Sequence, residues 1–367
     1  MTRSLRPTLL MVGLALVTGA VLAQSPRAVE VRFDSADATL VGTLTLPPGP
    51  GPHPAVVLVS GSGPQARDGA IAGIDGYRPF AEIASALSEA GIAVLRYDDR
   101  GAGASTGVNL TATTGDLAGD AQAALHALQR RSDIDPLQVG LIGHSEGALI
   151  APMLASRDPG VAFFVALAPP VADPIEGLVM QERRMLEAAG ASPEQVADSA
   201  QTARVVLELN AASDWQVVEA VLRYTARGQL EAMPAAQRAA FGDDVDAALD
   251  ALMTPAMAQQ RTWMHWFVTH DPAPYWRGVR VPALAVFGDR DVQVDLAQHR
   301  GALEGIQATA DLSFLDIVTI AGANHLFLKA DTGGVHEYGQ LDPQLMPALL
   351  DTVRSWTLEH VSLPSSG

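Results

Sequence analysis

Five short, nearly continuous apolar runs punctuate this chain: AVVLVS (55–60), GIAVLRY (91–97), VGLIG (139–143), VAFFVALA (161–168) and VPALAVFG (281–288). Runs of this length, each ended by a turn, read as strands buried on both faces, the condition of a parallel sheet covered by helices. The stretches between them have helical periodicity: YRPFAEIASALSEA (77–90), DLAGDAQAALHALQRR (116–131) and GALIAPMLAS (147–156), with PQLMPALLDTVRSWTLEH (343–360) near the end. Strand alternating with helix restricts the chain to an open, mostly parallel α/β sheet flanked by helices. Ahead of it, residues 29–46 alternate apolar and polar about a Ser-Ala-Asp-Ala turn, which predicts an antiparallel hairpin at the sheet edge.

The alternation stops between 172 and 280. That interval has no convincing strand, several amphipathic helical stretches and four of the five tryptophans, Trp215, Trp263, Trp266 and Trp276. It is expected to be a helical cap insertion, whose tryptophans pack its helices rather than line a pocket. The domain reading is then 1–23 signal peptide, 24–171 first part of the core, 172–280 insertion, 281–360 second part of the core and 361–367 a disordered tail. The signal assignment rests on Arg3 and Arg6, an apolar run of about 14 residues, short of the roughly 20 that span a bilayer, and Val21-Leu22-Ala23 as a cleavage site. Export to the periplasm or beyond follows, with no stable membrane partner after cleavage. The chain carries no cysteine, so disulfides are excluded and stability rests on burial.

With 24 basic and 41 acidic side chains the formal net charge is −17, and there is no basic run. Such a field opposes phosphate backbones, so nucleic acid is not an expected partner. A metal is not expected either, because no His-x-x-x-His pair is present.

Gly-x-Ser-x-Gly occurs twice, at 103–107 and 143–147. A nucleophilic serine of this kind needs a buried strand running into the first glycine and a helix starting just after the serine, because that sharp turn exposes the hydroxyl near helix amides. Ser145 meets both conditions, with VGLI before and ALIAPMLA after, whereas Ser105 lies eight residues past Tyr97 in a Gly- and Thr-rich loop and reads as a turn residue. A serine hydroxyl needs a base to take its proton and a carboxylate to orient that base, and here the order is Ser, acid, His. AVFGDRDVQV offers Asp289 and Asp291 as the acid, and His325 follows SFLDIVTIAGAN, the last strand pattern. His299, His336 and His360 fall in helical or terminal context and read as surface or packing residues. The oxyanion donors are expected to be the Glu146 N–H and an amide of the loop after the first inner strand, Ser62 first and Gly63 next. The Glu146 carboxylate reads as a favourable charge at a helix start, not as an acid catalyst.

These residues, together with VSGSGPQARDG (59–69), VLRYDDRGAGASTG (94–107), IDPLQVGLIGHSEGALIAP (134–152), VPALAVFGDRDVQV (281–294) and NHLFLKADTGGVHEYGQLDP (324–343), resemble the α/β-hydrolase superfamily. Within it the chain is similar to bacterial esterase-like hydrolases related to the serine aminopeptidase and dienelactone hydrolase branches. The resemblance covers nearly all of the chain after residue 23 outside the insertion. It implies the α/β-hydrolase fold with a helical cap insertion, and it selects Asp291 over Asp289, since the family's acid is the third residue after the glycine of G-x-x-D. Where the family often has a second glycine after GHSEG, this chain has Ala148. Arg100, with Asp98 and Asp99, is expected to fix a loop near the site.

The resulting expectation is a serine esterase without a cofactor, acting on a small-molecule ester, with short acyl chains implied by the resemblance. The same triad also serves an aminopeptidase, a thioesterase or a lactonase. Recognition of a free ammonium would draw on acidic residues of the insertion, Glu182, Glu187, Asp243, Asp244 and Asp246, which solvated helix faces explain equally. A non-catalytic binding module is the reading from another class, and an intact triad in the right order argues against it.

Overall fold

A computed structural model describes residues 25–238, 241 and 244–364. The expected signal segment, 1–23, lies outside the described residues. The core is one eight-stranded sheet: β1 (Arg27–Ser35), β2 (Ala38–Leu46), β3 (His53–Val59), β4 (Ala93–Tyr97), β5 (Ile134–His144), β6 (Phe164–Leu167), β7 (Ala283–Gly288) and β8 (Leu315–Ile320), in the order β1-β2-β4-β3-β5-β6-β7-β8. The hairpin forms as its alternation predicts, in register from Arg27 opposite Leu46 to Ser35 opposite Ala38, and β2 joins the sheet antiparallel to β4. Every other pairing is parallel. Burial follows position: β3, β6 and β7 are buried along their whole length, while the edge strand β1 exposes alternate residues.

Helices α1 (Pro79–Glu89) and α12 (Pro347–Glu359) pack together, while α2 (Thr114–Gln129), α3 (Glu146–Ala155), α10 (Ala273–Gly278) and α11 (Leu296–Thr309) form a connected series. These two groups cover the sheet; α1, α2, α3 and α12 form where the helical spacing places them, while α11 is not marked by it. The starts are set by side-chain caps: Thr113 and Asp116 make a reciprocal capping box on α2, and Asp295 accepts the Gln298 N–H at the head of α11.

Between β6 and β7 the chain forms α4 (Pro174–Ala188), α5 (Pro193–Ala211), α6 (Trp215–Ala232), α7 (Ala235–Arg238), α8 (Val245–Gln259), a π-helical turn (Gln260–Met264), α9 (His265–Thr269) and α10, with no strand among the described residues. Val179, Ala200, Leu207 and Val268 give this layer a small core of its own. Its tryptophans divide. Trp276 is wholly buried and packs on Phe164 of β6, so α10 belongs to the main core; Trp215 meets His265 edge-on within the layer, and Trp266 stacks on His270. At the other end of the chain, Ser362 exchanges hydrogen bonds with the Gln138 amide, so the start of the expected disordered tail is fastened to β5; residues 365–367 lie outside the described residues.

The chain runs from β3 to β4 on one side and then, through α2, to β5 on the other. The order of the sheet therefore reverses around β3, and the loops leaving β3 and β5 open beside each other at their carboxyl ends.

Candidate active site

Four loops at that end of the sheet bring the candidate residues together. Ser145 stands between β5 and α3 with φ 55° and ψ −114°, a strained conformation for a residue with a side chain. The turn is possible because its flanking glycines have no Cβ: one on Gly143 would overlap the Gly147 carbonyl, and one on Gly147 would overlap the Val59 carbonyl. The Ser145 N–H donates to the Leu167 carbonyl at 2.9 Å, pinning the turn to the end of β6.

His325, on the loop after β8, has its Nε2 3.1 Å from Ser145 Oγ and its Nδ1 2.8 Å from Asp291 Oδ2. Asp291, on the loop after β7, accepts the Gln293 and Val294 amides on Oδ1 at 2.8 and 2.9 Å, which fixes the carboxylate and leaves Oδ2 for the imidazole. Asp289, the alternative the residues alone left open, accepts the Gly322 N–H at 2.6 Å and ties the ends of β7 and β8. His144 donates its Nε2–H to the His325 carbonyl at 2.8 Å. Burial, and then the neighbouring His325, depress its pKa to about 4, so the ring is neutral at ordinary pH.

The loop after β3 passes the nucleophile closely: a Cβ on Gly61 would stand 3.2 Å from the Ser145 Cβ. Gly61 and Ser62 border the cavity that contains Ser145, whereas Gly63 borders a smaller neighbouring one of about 150 Å³. Glu146, the first residue of α3, borders both, and its N–H precedes the helix ladder. Asp99 holds the same loop, accepting Ser60 Oγ–H at 2.6 Å and the Gln65 N–H at 2.8 Å. Burial raises its pKa to about 7 against the lowering effect of those two bonds. The acidic cluster thus fixes the loop through partners the sequence did not indicate. Asp98 pairs with Arg67, and Arg100 forms a two-pronged buried pair with Asp120 on α2. In the Gly-x-Ser-x-Gly at 103–107, Ser105 donates to the Asp98 carbonyl at 2.6 Å and accepts the Val41 N–H, a structural role beside the hairpin.

The Glu146 side chain, 1% exposed, is an anchor rather than an exposed helix-start charge. Its Oε1 accepts Thr114 Oγ1–H at 2.5 Å and Trp263 Nε1–H at 2.8 Å, joining α3, α2 and the π-helical turn. Burial raises its pKa, partly offset by those bonds. Trp263, stacked on Phe267, forms wall between the two cavities.

The cavity over Ser145 and His325 has a volume of about 540 Å³. Tyr77, Phe80, Leu178, Phe267 and Tyr338 give it an apolar wall, and Gln181, Gln293 and His299 add polar groups. Its lining includes no Asp, Arg or Lys among the described residues, and its one carboxyl is Glu146, hydrogen-bonded through Oε1 while Oε2 has no partner among the described residues. His299, read from sequence as a surface or packing residue, is buried and borders this cavity. Chemically, a serine hydroxyl backed by an imidazole and a carboxylate can transfer its proton as it attacks a carbonyl carbon, and amides beside it can hold the resulting oxyanion.

The family model for serine aminopeptidase, S33, matches residues 73–329. Esterase EstD of Thermotoga maritima is 28% identical over 302 residues, covering 82% of this chain and 61% of EstD, so the match spans less than two thirds of that relative. The uncharacterized protein Rv2307c of Mycobacterium tuberculosis is 40% identical over 82 residues, 22% of this chain and 28% of its own. Among solved structures, an esterase of Pyrococcus furiosus, Pf2001, superposes with a TM-score of 0.51 at 17% identity, over 82% of this chain and 84% of that one. The α/β hydrolase GrgF from a Penicillium species gives 0.52 at 19% identity, over 91% and 99%. At those identities the two structures speak to the fold.

Proposed function

The chain belongs to the serine aminopeptidase S33 family of α/β hydrolases, and from that premise we propose that it is a serine hydrolase cleaving carboxylic esters. The observation that carries the proposal is the hydrogen-bonded series Asp291–His325–Ser145 opening onto a largely apolar cavity that no Asp, Lys or Arg borders among the described residues. Ser145 Oγ attacks the ester carbonyl while His325 Nε2 takes its proton, and Asp291 stabilises the imidazolium. The oxyanion is held by the Glu146 N–H and a backbone N–H of the Gly61–Ser62 segment. His325 returns the proton to the departing alkoxide, and water activated by the same imidazole releases the acid from the acyl-enzyme. No step requires a cofactor.

An ester is favoured over a peptide with a free N-terminus because the acidic residues of the helical layer are engaged away from the cavity, and the lining's one carboxyl, Glu146, is held through Oε1 by Thr114 and Trp263. Glu182 accepts from Ser199, Glu187 pairs with Arg184, Asp244 caps α8 and Asp246 pairs with Arg227; Asp243 lies outside the described residues. Thioesters and lactones would use the same groups. A cavity of about 540 Å³ is larger than a short acyl chain fills, so the acyl preference extends to medium-length or branched chains.

The test is hydrolysis of p-nitrophenyl esters from acetate to palmitate, beside amino-acid p-nitroanilides, by the wild-type protein and Ser145→Ala. Ester turnover lost in Ser145→Ala is the expected result; cleavage of the anilides alone would transfer the assignment to a peptidase. We further propose that residues 1–23 direct export. Protein recovered from the periplasm should then begin at Gln24.

A further inference from the structure

His299, on α11, is 3% exposed and borders the cavity shared by Ser145 and His325. Its Nδ1 accepts two backbone donors, the Val171 N–H at 2.9 Å and the Ala172 N–H at 3.1 Å. Two N–H groups converging on one ring nitrogen require a lone pair there, so the single proton of the neutral ring sits on Nε2. Burial favours the same neutral form and lowers the pKa to about 4. Protonating Nδ1 would set a third N–H against the two amides already aimed at it.

The Nε2–H has no acceptor among the described residues. That edge of the ring lies against α4 at Gly177, where a Cβ would stand 3.1 Å from Cε1 and 3.4 Å from Nε2, so the missing side chain leaves the donor accessible. Gln181, one helical turn along α4, borders the same cavity, and among the described residues its side chain makes one contact of that kind, Nε2 at 3.8 Å from Met185 Sδ. An apolar ligand filling this wall would leave a buried donor unpaired, which is costly. A carboxylate is poorly matched, since the ring is held neutral and no Lys or Arg borders the cavity among the described residues.

We propose that His299 is a substrate-recognition residue whose Nε2–H, with Gln181 beside it, forms a subsite for a neutral acceptor oxygen, such as a ketone or ether, carried by the substrate. The subsite rests on the serine-hydrolase reading for the position of the scissile bond, but not for its own chemistry. The preferred substrates are esters with a second, uncharged oxygen function on the acyl or alcohol arm.

The experiment compares matched esters. p-Nitrophenyl oxoalkanoates with the ketone stepped along the chain are set against the alkanoates of equal length, and 2-methoxyethyl butyrate against n-butyl butyrate. kcat/KM is measured on the wild type, and binding of the same esters is measured by calorimetry on Ser145→Ala. At one or more positions the oxygenated ester should be preferred roughly tenfold, the scale of one hydrogen bond to an otherwise unpaired donor. His299→Phe should bring the ratio close to one. Gly177→Ala sets a methyl against the ring edge, 3.1 Å from Cε1 and 3.4 Å from Nε2, so the ring gives by a few tenths of an ångström while the Val171 and Ala172 amides stay in place; it should lower the ratio as well, so a folding failure of His299→Phe still leaves a decisive variant. His299→Gln retains an acceptor and a donor and should keep part of the preference. A wild type indifferent to oxygen at every position, or a preference unchanged in both His299→Phe and Gly177→Ala, would overturn the subsite while leaving the esterase reading intact. Absence of ester turnover with a binding preference that disappears in the Ser145→Ala/His299→Phe double variant would do the reverse.

Discussion

His144 donates its Nε2–H to the backbone carbonyl of His325 at 2.8 Å, and the two rings lie 4.9 Å apart. The residue immediately before the candidate nucleophile therefore holds the loop that carries the candidate base, across a separation of 181 positions. Because burial keeps His144 neutral, it serves as a fixed donor and adds no positive charge beside an imidazole that must itself become charged.

His144→Phe keeps an aromatic ring but removes that donor. The expected effect is a fall in kcat of about tenfold to a hundredfold with KM little changed, since small misplacements of a base act on the chemical step. Steady-state kinetics on a p-nitrophenyl ester would measure it, and an equal fall in thermal midpoint and in folded fraction at the assay temperature would assign the residue to stability alone.

Asp291→Asn and Asp289→Asn separate the two acids of the G-D-R-D sequence. Asp291→Asn should lower kcat by about 10⁴, the scale seen when the carboxylate partner of a catalytic histidine is neutralised. Asp289→Asn can still accept the Gly322 N–H and should stay within a few-fold of wild type. The opposite ranking of the two variants would reassign the acid.

Stability should depend on pH through three buried groups. His144 and His299, both with pKa depressed to about 4, take no proton in the folded chain between pH 6.5 and 4, while the unfolded chain does. Their contribution is full above pH 6.5 and is lost as pH falls towards 4. Asp99, raised to about 7, has the opposite sign: its contribution is full below about pH 4 and is lost as pH rises through 7. Urea midpoints at pH 4.5, 6 and 8 should show His299→Gln losing less stability than wild type on acidification. Asp99→Asn should gain on wild type as pH rises from 4 to 7 and level off above, each group acting at no more than about 1.4 kcal/mol per pH unit.

The Trp263–Glu146 bond fastens the π-helical turn to α3. Trp263→Phe removes the indole donor and should cost about 1–2 kcal/mol in unfolding free energy, with faster amide exchange over 260–269. Glu146→Gln keeps an acceptor for Trp263 and Thr114 and removes the ionisable group, so its stability should equal or exceed that of wild type at pH 8. Exchange rates at 260–269 unchanged in Trp263→Phe would show that this segment is held elsewhere.

Chain-local physics made much of this protein legible. The apolar runs became β3 to β7 because a strand covered on both faces must be apolar throughout, and Ser145 was separable from Ser105 because strand, turn and helix are neighbours in sequence. His325 was singled out as the candidate base by its place after the last strand, and Asp291 as the candidate acid by resemblance, since Asp289 satisfies the same local pattern. What tertiary structure decided are the long-range partners. Asp99 gives no local sign that it holds the Ser60–Gln65 loop, and Glu146 looks like an ordinary helix-start carboxylate until Trp263, 117 positions away, donates to it. His299 is one histidine on an amphipathic helix; only the amides of Val171 and Ala172, 128 and 127 positions distant, fix its proton and turn it towards the cavity. Periodicity and turn chemistry act between neighbours and can be read along the chain, whereas burial, tautomer and pocket shape depend on which distant groups the fold brings into contact.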